Sequence, residues 1–369
     1  MNKTSLSLAA LLLAGTAVGA RAEIQIGVVT AVTGSMASFG AQMQAGVKAA
    51  ADDLNAHGGI AGEKIELVVE DDACDPKQGV SAANQLVNKG VSFVIGHMCT
   101  GPSVPASDVY AEEGIIMISP TATAPVLTER GLDNVFRVVG RDDQQGQVAA
   151  DYIAKNIGSP KVAILHDKQA YGKGLADSAQ AALAAHGIQP AMTGSINPGE
   201  SDFSALVTKM KGEGVNAVYY GGYHNEAGQI VRQMKQANLD ATLIAGDGLA
   251  NPDFWAITGE SGTGTLFTFA PDPSANPQAA DLVRNLRARN IEPALFTLNS
   301  YAAMQVLAQA VAQAGEPEPP AVSDALRQGR FETVIGTLDF NEKGDLTNPS
   351  YVIYKWAKGG YVPTSAAAQ

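Results

Sequence analysis

The chain is short of cysteine, histidine clusters and basic stretches, and each shortage removes a class of function. Two cysteines in 369 residues, Cys74 and Cys99, rule out a small scaffold stapled by many disulfides. The five histidines, His57, His97, His166, His186 and His224, stand singly. No pair has the helical spacing of metal ligands, so no metal is expected. Lysine and arginine number 25 against 37 aspartates and glutamates, a formal net charge of −12. With no basic stripe to neutralise phosphates, nucleic acid and anionic membrane surfaces are excluded as partners.

Catalytic motifs are missing too. The first apolar run leads into Thr30-Ala-Val-Thr-Gly34, which lacks the GxGxxG of a dinucleotide loop, and Gly246-Asp-Gly248 lacks the third glycine. There is no phosphate-binding GxxxxGK[ST], no HExxH and no GxSxG elbow. Without a nucleophile–base pair or a cofactor loop, no catalytic residue and no cofactor is expected. Glu70-Asp71-Asp72 followed by Asp75 offers oxygen ligands for a hard cation but lacks EF-hand spacing, and Asp75 reads as a helix cap.

The N-terminus supplies an address. Lys3 gives a positive start, Leu6 to Val18 an apolar stretch, and Ala20-Arg-Ala22 a small-x-small cleavage pattern. The stretch is shorter than the ~20 residues a spanning helix needs, so residues 1–22 read as a signal peptide directing export into a soluble compartment. Cleavage before Glu23 leaves 347 residues and, with Lys3 and Arg21 gone, a net charge of −14. In an oxidising compartment Cys74 and Cys99 read as one disulfide, with a pair of buried thiols as the alternative.

From Glu23 onward short β-branched runs alternate with helical patterns, which fixes an α/β class with parallel sheets covered by helices. Strands are expected at Ile24 to Val29, Ile65 to Val69, Val91 to Ile95 and Ile115 to Ile118, with a helix capped by Asp75 and opened by Pro76. A second series follows Arg141, with strands at Lys161 to Leu165, Val215 to Tyr220, Leu243 to Ala245 and Leu266 to Phe269. Pro271, Pro273 and Pro277 mark a crossing between lobes. Two helices, Ala279 to Arg289 and Leu298 to Ala314, and a last strand, Tyr351 to Trp356, complete the chain. So much chain exceeds one ordinary core. We read an N-terminal lobe of 23–141 plus 270–350 and a C-terminal lobe of 142–269 plus 351–369, each a doubly wound sheet, joined by a hinge and facing each other across a cleft.

In open α/β sheets the loops at the carboxyl ends of the strands face the ligand. Here they carry Thr100 at a helix start, the run Ser119-Pro-Thr-Ala-Thr123, Tyr171, Tyr223 and Asp247. Hydroxyls and free helix N–H groups on one lobe suit a carboxylate. A lone acid between glycines on the other suits an ammonium, and the tyrosines are either lids over the cleft or core residues.

Asp71-Asp-Ala-Cys-Asp-Pro-Lys-Gln78, Val94-Ile-Gly-His97, Pro105-Ala-Ser-Asp108, Met117-Ile-Ser-Pro120, His166-Asp-Lys-Gln169, Asp202-Phe-Ser-Ala-Leu206, Val218-Tyr-Tyr-Gly-Gly-Tyr223 and Asn341-Glu-Lys-Gly-Asp-Leu346 together resemble the periplasmic leucine/isoleucine/valine-binding proteins of bacterial ABC importers. The resemblance runs from about Glu23 to about Tyr354. It implies a type I periplasmic-binding-protein fold with three interlobe crossings, a Cys74–Cys99 disulfide, lobe closure on ligand, an inner-membrane permease as partner, a monomer, and no catalysis.

By position it implies Thr100 at the ligand carboxylate, Thr121, Ala122 and Thr123 in a second carboxylate and ammonium loop, Tyr171 and Tyr223 as cleft tyrosines, and Asp247 at the ammonium. Phe39, Asp247 and Phe296 replace the tryptophan, glutamate and tyrosine of that family. The changes reshape the apolar pocket and shorten the reach to the ammonium. An extra methylene is worth only about 1–3 kcal/mol in such a pocket, so a broader set of neutral amino acids is expected beside the branched-chain ones. A ligand sensor of the same fold, feeding a regulatory partner, is the alternative.

Overall fold

The computed structural model describes residues 23–364; the expected signal peptide therefore lies outside the described residues. Two sheets organise the chain. The first contains β1 (Glu23–Thr30), β2 (Lys64–Asp71), β3 (Phe93–Gly96), β4 (Ile116–Ser119) and β5 (Val135–Arg137). They pair all-parallel in the order β2-β1-β3-β4-β5. Helices α1 (Ala37–Ala56), α2 (Pro76–Asn88) and α3 (Thr100–Glu112) are the crossovers. β3 and β4, Phe-Val-Ile-Gly and Ile-Met-Ile-Ser, are buried at every residue, as a strand covered on both faces must be.

The second series opens with α4 (Asp142–Asn156), β6 (Val162–His166), α5 (Ala170–Ala185), β7 (Met192–Ser195), α6 (Ser204–Gly212), β8 (Ala217–Gly221), α7 (His224–Gln236) and β9 (Thr242–Ala245). α8 (Pro252–Thr258) and β10 (Leu266–Phe269) complete its parallel part. The chain then returns to the first sheet's side. α9 (Ala280–Ala288), α10 (Leu295–Ala314) and α11 (Pro319–Gln328) precede a small hairpin of β11 (Phe331–Thr333) and β12 (Gly336–Leu338). α10 packs along α1, and the approach is close: a Cβ on Gly46 would stand 2.1 Å from the Thr297 carbonyl oxygen, so only glycine fits there. Finally β13 (Val352–Ala357) and β14 (Gly360–Pro363) add antiparallel strands to the second sheet, giving the order β14-β13-β10-β9-β8-β6-β7. This is the type I periplasmic-binding-protein fold.

Asp75 caps α2 by accepting from the Lys77 and Gln78 amides, with Pro76 at the first helical position. The other acids of that stretch have structural partners: Asp71 accepts from the Val32, Thr33 and Ala73 amides, and Asp72 from Cys74 N and His97 Nδ1. Cys74 and Cys99 form a disulfide with their Cα atoms 5.5 Å apart, tying the loop after β2 to the start of α3.

Three segments link the two sheets, after β5, after β10 and before β13. Arg137, wholly buried at the end of β5, ties two of them. Its Nε lies 2.7 Å from Asp345 Oδ1, while Nη1 donates to the carbonyls of Ala122 and Ala124 and Nη2 to the Thr128 hydroxyl. Arg141 reaches Asp345 Oδ2 at 2.8 Å. The buried guanidinium thus has a carboxylate beside it and hydrogen-bond acceptors for both terminal nitrogens, which is what keeps a charge tolerable in the interior.

Candidate ligand-binding site

The carboxyl ends of β1, β3 and β4 point toward those of β6, β8 and β9, and the space between holds a small cavity. Its wall is formed by Met36, Phe39, Met98, Cys99, Thr100 and Thr121 from one side and by Tyr171, Tyr223, Asp247 and Gly248 from the other, with Phe296 at one end. Of the residues singled out in the sequence, Phe39, Thr100, Thr121, Tyr171, Tyr223, Asp247 and Phe296 therefore share one cavity. Ala122 and Thr123 are buried outside its wall: Ala122 belongs to the apolar core behind β3 and β4, and the Thr123 carbonyl accepts from Asp142 N.

Each polar group is set by its element. Thr100 is the first residue of α3, where helix N–H groups lack intrahelical partners, and its hydroxyl is buried with no hydrogen-bond partner. Thr121 follows β4, and its hydroxyl donates to the Met98 carbonyl at 2.6 Å, joining the two loops of this lobe. Ser119 adds a second tie by donating to the His97 carbonyl and accepting from Ala122 N. His97 is held on both ring nitrogens, by Asp72 at 2.8 Å and Tyr110 at 2.9 Å.

Across the cavity, Tyr171 donates to Asp247 Oδ1 at 2.8 Å and accepts from Gly248 N at 3.0 Å. Gln145 Nε2 donates to the same Oδ1 at 3.0 Å, and Gln145 Oε1 accepts from Asp247 N. Both side-chain bonds thus fall on one oxygen and fix the carboxyl plane, leaving Oδ2 for a third donor. Burial pushes the Asp247 carboxyl up to about 6, against the Gln145 and Tyr171 hydrogen bonds that favour its ionised form. Burial and the facing Asp247 hold the Tyr171 hydroxyl protonated, as its donor role requires. Tyr171 stands at the start of α5, which can press onto the end of β8 because Gly172 and Gly221 meet there: a Cβ on Gly221 would sit 1.9 Å from the Gly172 carbonyl oxygen. Tyr223, one turn of chain beyond, lies 4.9 Å from the Tyr171 ring.

The apolar part is aromatic and thioether. Phe39 meets Phe296 edge to face at 5.3 Å, Phe296 meets Phe269 at 5.0 Å, and Met36 and Met98 close the sides. Phe39 also meets His224 of α7 at 5.4 Å, so the pocket wall is an interlobe contact as well. Burial pushes the His224 imidazole down to about 4, with only Asp253 opposing.

Sequence reasoning missed Met36, Met98 and Gly248 at the wall and Gln145 behind it. The strand-end rule points to the first three, since all lie in loops following β1, β3 and β9. Gln145 sits inside a helix, and nothing local marks it.

One lobe thus offers hydroxyl and amide donors, the other an acid held by its neighbours, and the two meet over an apolar floor: the architecture of a two-lobed solute clamp. The Periplasmic binding protein family profile matches residues 23–360, and the chain belongs to that family. It is a substrate-binding protein and not an enzyme. It is 50% identical over 350 residues to Leu/Ile/Val-binding protein homolog 3 of Brucella melitensis, covering 94% of this chain and 95% of that one. It is 48% identical over 345 residues to Leu/Ile/Val-binding protein BraC3 of Rhizobium johnstonii, covering 93% and 94%. Among solved structures it resembles a leucine-binding protein of Thermotoga maritima, with a TM-score of 0.86, 27% identity and coverage of 93% and 98%. It also resembles the branched-chain amino acid transporter substrate-binding protein of Streptococcus pneumoniae in complex with isoleucine, with a TM-score of 0.84, 28% identity and coverage of 93% and 100%.

Proposed function

We propose that the chain is the periplasmic binding component of an ABC importer. It captures leucine, isoleucine, valine or a broader set of neutral L-amino acids by lobe closure and presents them to an inner-membrane permease. The carrying observation is the opposition of the unpartnered Thr100 hydroxyl, at a helix N-terminus, to the Asp247 carboxyl across one small cavity. A ligand carboxylate takes the Thr100 hydroxyl and the helix and loop amides. The ammonium takes Asp247, where a desolvated cation needs a charged acceptor. The side chain lies against Phe39, Phe296, Met36 and Met98. The relatives named for leucine, isoleucine and valine support the same ligand class.

In this reading residues 23–141 with 270–350 and residues 142–269 with 351–369 move as two bodies, the protein acts as a monomer, and residues 1–22 are removed on export. Calorimetry on refolded, ligand-stripped protein tests it with leucine, isoleucine, valine, alanine, phenylalanine and lysine. Binding of the aliphatic amino acids, and its loss in Asp247→Ala, is expected. Failure of every neutral amino acid to bind overturns it.

A further inference from the structure

Behind Asp247, outside the cavity wall, lies a second buried acid. Asp142 is the first residue of α4, immediately after the first crossing between the sheets, and it is wholly inaccessible. Its backbone N–H donates to the Thr123 carbonyl at 3.0 Å. Its Oδ1 accepts from Gln145 Nε2 at 3.0 Å, and the same nitrogen lies 3.0 Å from Asp247 Oδ1. One amide nitrogen therefore bridges two carboxyl groups. Asp142 Oδ2 has no hydrogen-bond partner.

The nearest cation, Arg137, is spent on Asp345, two carbonyls and Thr128. The other titratable groups facing the pair are Tyr171 of α5, Tyr219 of β8, Tyr223 at the start of α7 and Tyr351 before β13. The hydroxyls of Tyr219 and Tyr351 are themselves buried and unpartnered. None of the four carries a positive charge. An ionised carboxylate whose donors, Gln145 and Thr123, are both neutral, with one bare oxygen and a second acid across a single amide, is a costly arrangement in a dry interior, and protonation relieves it.

We propose that Asp142 is held as a neutral carboxylic acid, a positioning residue that ties the Thr121–Thr123 loop through Gln145 to Asp247 and limits the buried charge of the ligand site to one. The proposal rests on the amino-acid reading above and deepens it: a site with a single negative charge matches the single ammonium of a neutral amino acid. Burial and the neighbouring Asp247 push the Asp142 carboxyl well above the usual range, outweighing the Thr123 hydroxyl, Arg137 and Gln145. This agrees with the geometry.

The test pairs affinity with a direct look at the proton, on the full mature chain. Asp142→Asn supplies an uncharged group of the same shape, whereas Asp142→Ala removes the link. Calorimetry with L-leucine near neutral pH is expected to show a loss of about fivefold or less for Asp142→Asn, the scale of one neutral hydrogen bond. For Asp142→Ala a loss of more than about thirtyfold is expected, the scale of an orphaned buried network. The affinity of Asp142→Asn should fall with acid over the same pH range as that of the wild type, because Asp247 still titrates. Carbon-13 NMR of labelled aspartate carboxyls in the wild type should show a protonated signal at neutral pH that Asp142→Asn lacks. A loss beyond tenfold in a folded Asp142→Asn protein, or the absence of that signal, overturns the proposal. Absence of leucine binding by the wild type fails the amino-acid reading instead, and the NMR signal still decides the state of Asp142.

Discussion

Asp247 carries the sharpest consequence at the scale of single residues, because its ionisation and ligand capture draw on the same oxygen. An acid whose folded value is raised to about 6 by burial is ionised above that pH and protonated below it. Capture of an ammonium needs the ionised form, so affinity is full only well above about pH 6 and falls as pH drops, approaching tenfold per pH unit well below it. Calorimetry in buffers of different ionisation enthalpy near pH 6 should detect proton release on binding, and a flat affinity from pH 8 to 5 would contradict the assignment. Tyr171→Phe removes a donor to Asp247 and an acceptor for Gly248 N. A bond to a charged group is worth about 1.5–3 kcal/mol, so affinity should drop by roughly 10- to 150-fold with the fold intact by circular dichroism. These residues are legible in the sequence because glycines at strand ends set them apart. Gln145 and Asp142 are not, since their importance arises only when the crossing brings α4 against β10 and the loop after β9.

Legibility among the elements follows length and contrast. The long strands and the Asp75-Pro76 helix start can be read from β-branched runs and capping chemistry. β5, only Val135–Arg137, and β7, Met192–Ser195 with a glycine inside, are too short and too mixed to stand out. They form because a neighbouring strand offers them a ladder. α11 begins at Pro319, inside the run Glu316-Pro-Glu-Pro-Pro320, because proline suits the first turn of a helix. Arg137, at the end of unmarked β5, holds the first and third crossings together. Arg137→Met should cost about 3–5 kcal/mol, the range for breaking a buried ion pair, since Asp345 and the carbonyls of Ala122 and Ala124 lose donors. Urea denaturation would reveal it as a lower midpoint at unchanged slope, and a cost below about 1 kcal/mol would mean that Arg141 and Thr128 suffice for Asp345.

For the molecule as a whole, pattern reaches two lobes and a cleft, but not that β13 runs antiparallel to β10 with β14 folded back on it. Contacts between the lobes outside the cavity include α3 against α5 and two hydrogen bonds at α1 and its approach: Asn251 Nδ2 donates to Ser38 Oγ at 2.8 Å and Asn225 Nδ2 to the Ser35 carbonyl at 3.3 Å. If closure is the event that captures ligand, these contacts exist only in the closed form and belong to the binding free energy although they touch no ligand. Ser38 does not line the cavity, so Ser38→Ala isolates this contribution. Removing one neutral bond worth about 1 kcal/mol shifts the open–closed equilibrium about fivefold. Amino-acid affinity should weaken by up to that factor, mainly through faster dissociation. The thermal stability of the protein without ligand should stay within about 0.5 kcal/mol of wild type, as for a surface change away from the core. Stopped-flow dissociation and differential scanning calorimetry measure the two quantities separately. Unchanged dissociation would place the Ser38–Asn251 contact in the open form as well, and closure would then have to draw on Phe39, His224 and the ligand itself.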